Sequence, residues 1–230
     1  MAIPGIVISI DVESQAEIER IVQQTHQLPA VFGYKIGALG VLSLGLSKCV
    51  RLIRASSSKL IVYDHQKAGN DIAAISKRLV RLAAEAGVNG FVVFPFAGPV
   101  IMQEISAEAA SHGLRVIVGA HLTNAAFRQS EGGFIADDVP RKIFRKAAEL
   151  GIVDFLLPGN LPEITASYME ELARQVHQPT FWTTGIGSQG GSIATLQNLL
   201  PPQSELMPII GSAIYAAANP AQEVARLLNG

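Results

Sequence analysis

A single cysteine, Cys49, leaves the chain unable to close an intrachain disulfide and excludes a cysteine-rich metal site. Its expected place is as a small apolar residue buried on a helix. Charge of one sign is lacking as well. Eighteen Lys and Arg stand against 19 Asp and Glu, for a formal net charge of −1. No strong basic field is therefore available for nucleic acid or an anionic membrane surface. Apolar runs are too short to span a bilayer and are broken by charge. The stretch from Met1 to Asp11 has no basic region ahead of an apolar run, which argues against a signal peptide and for a cytoplasmic protein. No further His or Cys lies at ligand spacing from His65 or His121, so no metal is expected. Each of those histidines reads instead as a hydrogen-bonding wall residue near a strand end. The glycine-rich turn that follows the first strand of a dinucleotide-binding sheet is also missing. Asp11-Val12-Glu13-Ser14 stands there, which counts against a doubly wound open sheet.

What is present is apolar and periodic. Hydrophobic residues make up 49% of the 230 positions and charged residues 16%, enough to fill a large core. Short runs rich in Val, Ile, Leu and Phe predict strands at Ile6–Ile10, Val31–Ile36, Leu60–Tyr63, Gly90–Phe94, Leu114–Gly119, Asp154–Leu157, Thr180–Thr183 and Met207–Gly211. Such near-continuous runs suit strands covered on both faces. Between them lie helical patterns. One is Asp71–Ala86, with Ile72, Ile75, Leu79, Leu82 and Ala83 expected on its core face, and another is Pro99–His112, opened by proline. Ala86-Gly87 and Leu150-Gly151 read as helix stops. Eight such units predict one α/β domain over residues 1–230, a (β/α)₈ TIM barrel. The longest irregular stretch, His121–Asp138, is expected to cover the active site.

Polar residues at the carboxyl ends of barrel strands point into the site. The first strand ends in Asp11, the second in Lys35, and the third in Asp64-His65-Gln66-Lys67 with Asp71 following. Two lysines and three carboxylates thus converge on a small volume. Buried charge is costly unless function retains it. An alternating array keeps each ammonium charged and each carboxylate ionised. It can hold a cationic acid against a developing carbanion and press negative charge against a leaving carboxylate. The seventh strand runs into Thr184-Gly185-Ile186-Gly187-Ser188-Gln189-Gly190-Gly191, and the eighth into Gly211-Ser212-Ala213. These loops form the usual phosphate site of the fold, through backbone N–H groups.

At these residues the chain resembles the orotidine 5′-monophosphate decarboxylase family across essentially its whole length. Ile10-Asp11, Lys35-Ile36-Gly37, Asp64…Lys67…Asp71-Ile72, Pro158-Gly159-Asn160, Gly185–Gly191, and Ile210-Gly211-Ser212-Ala213-Ile214-Tyr215 with Asn219-Pro220 carry the resemblance. The Asp64–Ile72 segment, with Ser130–Ile135, resembles a long-motif Asp-His-Gln-Lys branch of that family. The resemblance implies cofactor-free decarboxylation of a nucleotide to UMP in pyrimidine biosynthesis. It implies that Lys67 stabilises and protonates a C6 carbanion, that Asp64 faces the departing carboxylate, and that Lys35 and Asp71 orient the array. Asp11 would contact ribose, Thr123 the pyrimidine, and Gln189, Gly190, Gly191, Gly211 and Ser212 the phosphate. It further implies a homodimer with shared active sites, Asp71 being donated by the neighbouring subunit.

The departures from that pattern lie around ribose and phosphate. Ser212 stands where the family has a phosphate-binding arginine, and a charge-assisted bond contributes roughly 1.5–3 kcal/mol. Ala73 replaces a proline, Ile75 a threonine, and Thr123-Asn124 a Thr-His pair. Arg128, on the long loop, is the candidate for a replacement cation, set against a plain solvated loop residue. Two other readings stay open: a related barrel lyase acting on another substrate, and a catalytically silent homologue. Lys35 favours decarboxylation of the nucleotide over sugar-phosphate decarboxylases, which usually carry a carboxylate at that place.

Overall fold

The computed structural model describes residues 5–229, with the side chains of Lys67, Ala68 and Asn229 outside that description. Eight parallel strands close a barrel in sequence order: β1 (Ile6–Ile10), β2 (Val31–Ile36), β3 (Leu60–Asp64), β4 (Gly90–Val93), β5 (Arg115–Gly119), β6 (Asp154–Pro158), β7 (Thr180–Thr184) and β8 (Glu205–Ile210). The helices are α1 (Gln15–Thr25), α2 (Ala38–Leu44), α3 (Leu46–Arg54), α4 (Ala73–Glu85), α5 (Pro99–Ser111), α6 (Val139–Glu149), α7 (Pro162–Ala173), α8 (Ile193–Asn198), α9 (Ser212–Tyr215) and α10 (Pro220–Asn229). The expected barrel is present, and the strand bounds agree to within one or two residues at each end. Among the described residues, no helix is long and apolar enough to cross a membrane.

Period-two alternation explains how the strands serve two cores. One set of side chains turns outward under the helices. The other set, including Val7, Val62, Val92, Ile117, Leu156 and Trp182, packs inside the barrel. At the amino end of the strands the interior carries charge that is fully paired. Arg115 donates two hydrogen bonds to Asp154, at 3.1 and 2.7 Å, and Trp182 Nε1–H donates a third at 2.8 Å. This end of the barrel therefore serves the fold, because the buried Asp154 carboxylate there is neutralised and fully hydrogen-bonded.

The helix stops behave as expected: Gly87 and Gly151 both take positive φ, at 88° and 78°. Cys49 is fully buried in α3. The face expected to bury α4 is corrected in part: Ala83 is buried and Leu79 packs against the core as expected. Ser76, Val80 and Ala83 point to the core, whereas Ile72 is 67% exposed, Leu82 is 56% exposed and Ile75 is also exposed. The helix carries two apolar stripes. One stripe, Ser76, Val80 and Ala83, is buried, and the bulkier Ile72, Ile75 and Leu82 face outward. Val100, at the start of α5, is likewise 65% exposed.

The His121–Asp138 stretch is also corrected. It is not a cover over the site, because Thr123 is its only residue lining the cavity described below. Arg128 instead fastens the stretch internally. Its guanidinium donates to Glu131 at 3.0 and 2.6 Å, and the Glu131 carboxylate accepts from the Arg128 backbone N–H at 3.2 Å. Ser130 adds a hydrogen bond to Asp137, and Phe127 is buried as an anchor.

Candidate active site

The strand alternation that points Val7 inward also points Ser9 and Asp11 inward, at the carboxyl end of β1. On β2 it does the same for Lys35, paired opposite Ser9, and on β3 for Asp64. Lys35 Nζ lies 2.8 Å from Asp64 Oδ2 and 3.6 Å from Asp11 Oδ2, with the lysine and Asp64 side chains almost wholly buried. Burial pulls the ammonium toward deprotonation. The charges of Asp64 and Asp11 outweigh that pull and set its pKa above the ordinary lysine value. Lys35 is therefore a fixed cation at neutral pH. Asp64 Oδ1 is buried and has no hydrogen-bond partner among the described residues.

Asp11 is held in place by two features. Ser9 Oγ donates to its Oδ2 at 2.6 Å. Gly37 gives it room, since a Cβ there would lie 1.5 Å from Asp11 Oδ1. Neither residue received a role from sequence. Ser9 could have been found from the Val7–Ser9–Asp11 alternation, whereas the close approach at Gly37 has no local signal.

These groups lie in a cavity of about 610 Å³ at the carboxyl end of the barrel. Of the expected site residues, Asp11, Lys35, Asp64, Thr123, Gln189, Gly211 and Ser212 all line it. Tyr63 and His65 form part of the wall, the tyrosine hydroxyl and His65 Nδ1 sharing a hydrogen bond of 2.8 Å. Asn160 was also unassigned from sequence beyond its motif. It ties two loops together, donating from Nδ2 to the Thr123 carbonyl at 3.2 Å while its side chain packs beside Gly185.

Four expectations fare differently. The Lys67 side chain lies outside the described residues. Asp71 is exposed just past the short turn Gln66–Asn70, and its carboxylate accepts the neighbouring Ile72 N–H at 2.7 Å rather than lining this chain's cavity. Gly190 and Gly191 do not line the cavity, and their N–H groups are already used by Gly187 and Gly185 carbonyls at 2.9 and 3.0 Å. The tight turn that the glycines permit consumes the very donors expected to face phosphate. Arg128 does not reach the β7–β8 side of the cavity, because Glu131 holds it.

His121 is a wall residue of a deeper kind, sealed beneath the β5 loop. It stacks on Phe127 with centroids 5.0 Å apart, and its Nδ1 shares a 2.9 Å hydrogen bond with the Tyr168 hydroxyl. Burial, with the nearby Arg128 charge, lowers its pKa to about 4, so it is neutral at physiological pH. Burial raises Tyr168 to about 12. Among the described residues, no group of three or more His, Cys, Asp or Glu is placed to hold a metal ion.

Comparison with known proteins fits this geometry. Residues 4–227 match the family described as orotidine 5′-phosphate decarboxylase / HUMPS. The chain is 24% identical over 220 residues to the orotidine 5′-phosphate decarboxylase of Methanocaldococcus jannaschii, covering 96% of this chain and 95% of that protein. It is 26% identical over 221 residues to the Pyrococcus abyssi enzyme of the same name, with 96% and 95% coverage. The crystal structure of the Methanocaldococcus jannaschii decarboxylase complexed with the inhibitor BMP superposes with a TM-score of 0.84 at 23% identity, covering 99% of this chain and 98% of the other. The Pyrococcus horikoshii OT3 structure gives 0.79 at 20% identity, with 97% coverage of each. The chain belongs to the orotidine 5′-phosphate decarboxylase / HUMPS family.

Proposed function

We propose that this chain decarboxylates orotidine 5′-monophosphate to UMP, without a cofactor, as a step of pyrimidine biosynthesis in the cytoplasm. The observation that carries the reading is the buried Lys35–Asp64 pair, 2.8 Å apart at the carboxyl end of the barrel. A carboxylate at the Lys35 position would suit a sugar-phosphate substrate, and a lysine suits this one. In the proposed reaction the bond between C6 and the carboxylate carbon breaks. The electron pair stays on C6, CO₂ leaves, and the Lys67 ammonium gives its proton to C6. Asp64, fixed by Lys35, presents negative charge to the substrate carboxylate and raises the energy of the bound ground state relative to the neutral CO₂ that departs. Asp11, braced by Ser9, takes the ribose, and Thr123, positioned by Asn160, faces the pyrimidine.

The same reading makes the protein a homodimer with shared sites. Asp71 stands outside its own cavity, next to an outward apolar stripe formed by Ile72, Ile75, Leu82 and Val100. Exposed apolar side chains of this kind suit a protein interface. Docking that stripe against a second copy would carry Asp71 toward the partner's cavity. Loss of ultraviolet absorbance on incubation with orotidine monophosphate tests the activity. The expected result is turnover by the native protein and none by Lys67→Ala, whose fold should be intact because the ammonium serves the transition state. Turnover by Lys67→Ala at near-native rate would contradict the proposed role.

A further inference from the structure

The turn Gln66–Asn70, of which Lys67 is the second residue, is gripped at both ends by one residue. Phe94 directly follows β4. Its backbone N–H donates to the Gln66 carbonyl at 3.2 Å, and its carbonyl accepts from Asn70 Nδ2 at 3.2 Å. Between those two bonds the backbone lies flat on the strand end. Gly69 is buried there, and a Cβ on it would stand 2.6 Å from Pro95 Cα and 2.8 Å from the Phe94 carbonyl oxygen. The Ala97 N–H adds a longer bond to the Gly69 carbonyl, at 3.4 Å.

Phe94 is itself fixed by the barrel. It is 3% exposed and belongs to the interior cluster with Val62, Val92 and Ile117. Its ring fills the space over Gly119, where a Cβ would lie 2.3 Å from it. A close-packed interior of this kind resists displacement. Asp64 is referred to the same strand, since it pairs with Val92 on β4. Of the two bonds that Phe94 makes to the turn, the one to Gln66 is backbone to backbone. The other depends on the Asn70 side chain. Asn70 is exposed and does not line the cavity, so it neither seals the core nor touches substrate within its own chain.

We propose that Asn70 is a positioning residue for Lys67: its carboxamide holds the far end of the turn on Phe94 and keeps the Lys67 backbone in register with Asp64. The inference rests on the decarboxylase reading, in which Lys67 gives its proton to C6. Misplacing a reacting group by about 1 Å can cost about 100-fold in rate. Binding should be spared, because Asp11 and Thr123, which take the ribose and the pyrimidine in that reading, stand on other elements.

Steady-state kinetics with orotidine 5′-monophosphate and calorimetric titration with UMP test this on the native protein, Asn70→Ala and Asn70→Asp. The aspartate has the shape of asparagine but no N–H to give Phe94. Each variant should lose about tenfold in kcat, with KM and the UMP Kd within about threefold of native. A loss in kcat under about fivefold in either folded variant overturns the proposal. So does a rise of more than about threefold in KM or in the UMP Kd, which marks general loosening of the site. Failure of both variants to fold, read by circular dichroism, would show a structural role and overturn it as well; if one fails, the other decides. Absence of turnover by the native protein would instead overturn the decarboxylase reading, and this proposal with it.

Discussion

Replacing Lys35 by Met isolates the energetics of the central ion pair. The two side chains are 6% and 8% exposed and their charged atoms lie 2.8 Å apart, so solvent cannot screen the carboxylate left behind. Among the described residues the remaining donor near Asp64 is Gln66 Nε2, at a long 3.5 Å from Oδ2, and Oδ1 has none. Stranding one member of a buried pair costs about 3–5 kcal/mol. Neutralising the stranded partner should recover a large part of that, so Lys35→Met/Asp64→Asn should be more stable than Lys35→Met by about 2 kcal/mol. Urea denaturation of Lys35→Met, Asp64→Asn and the double variant, followed by circular dichroism, gives the three differences through the midpoints, at unchanged slope. Activity should vanish in all three variants. The double variant therefore regains stability without catalysis, which separates the pair's chemical service from its part in the fold. Additivity of the two single effects within about 0.5 kcal/mol would refute the coupling argued from the geometry.

Other outcomes follow from individual contacts. Gly37→Ala should cripple the enzyme mainly through KM, because its methyl would occupy the space of Asp11 Oδ1 and displace the carboxylate; steady-state kinetics showing native KM would contradict this. His121 has a folded pKa of about 4, depressed from about 6.5 in the unfolded chain. Its contribution is therefore fully present above pH 6.5 and is lost as pH falls through 4, amounting to about 3 kcal/mol. His121→Gln should flatten the stability profile between those limits, and an unchanged slope would refute the assignment. Mixing and re-associating Lys67→Ala with Asp71→Ala should restore up to about a quarter of native activity, since half of random dimers carry one intact shared site. No restoration, or full activity from a monomer in sedimentation, would contradict the shared site.

Much of this was legible because a barrel converts a two-residue period into an address. Once β1, β2 and β3 are placed, Asp11, Lys35 and Asp64 fall at inward positions of the carboxyl end with no further information. The rest depends on features that period cannot carry. In α4 two stripes could serve as the core face, and the helical period alone does not decide that Ser76, Val80 and Ala83 go inward while Ile72 and Leu82 face out. In the β7 loop, glycine content announces a turn but not which amides the turn consumes, and the Gly190 and Gly191 N–H groups go to carbonyls of their own loop. Arg128 had a carboxylate three residues away in sequence, and that local partner outcompetes a distant cavity at far lower entropic cost. Asn160 joins loops separated by 37 residues in the chain, a relation that exists only after folding.

The central claim is that the cavity around Lys35 and Asp64 cleaves the C6 carboxylate and protonates the carbanion left behind. Incubating the protein with orotidine 5′-monophosphate in D₂O and reading the product by proton NMR tests this most directly. The account predicts CO₂ together with UMP carrying a single deuteron at C6, none of which forms with Lys67→Ala. Orotidine monophosphate recovered intact from an excess of folded native protein would contradict it.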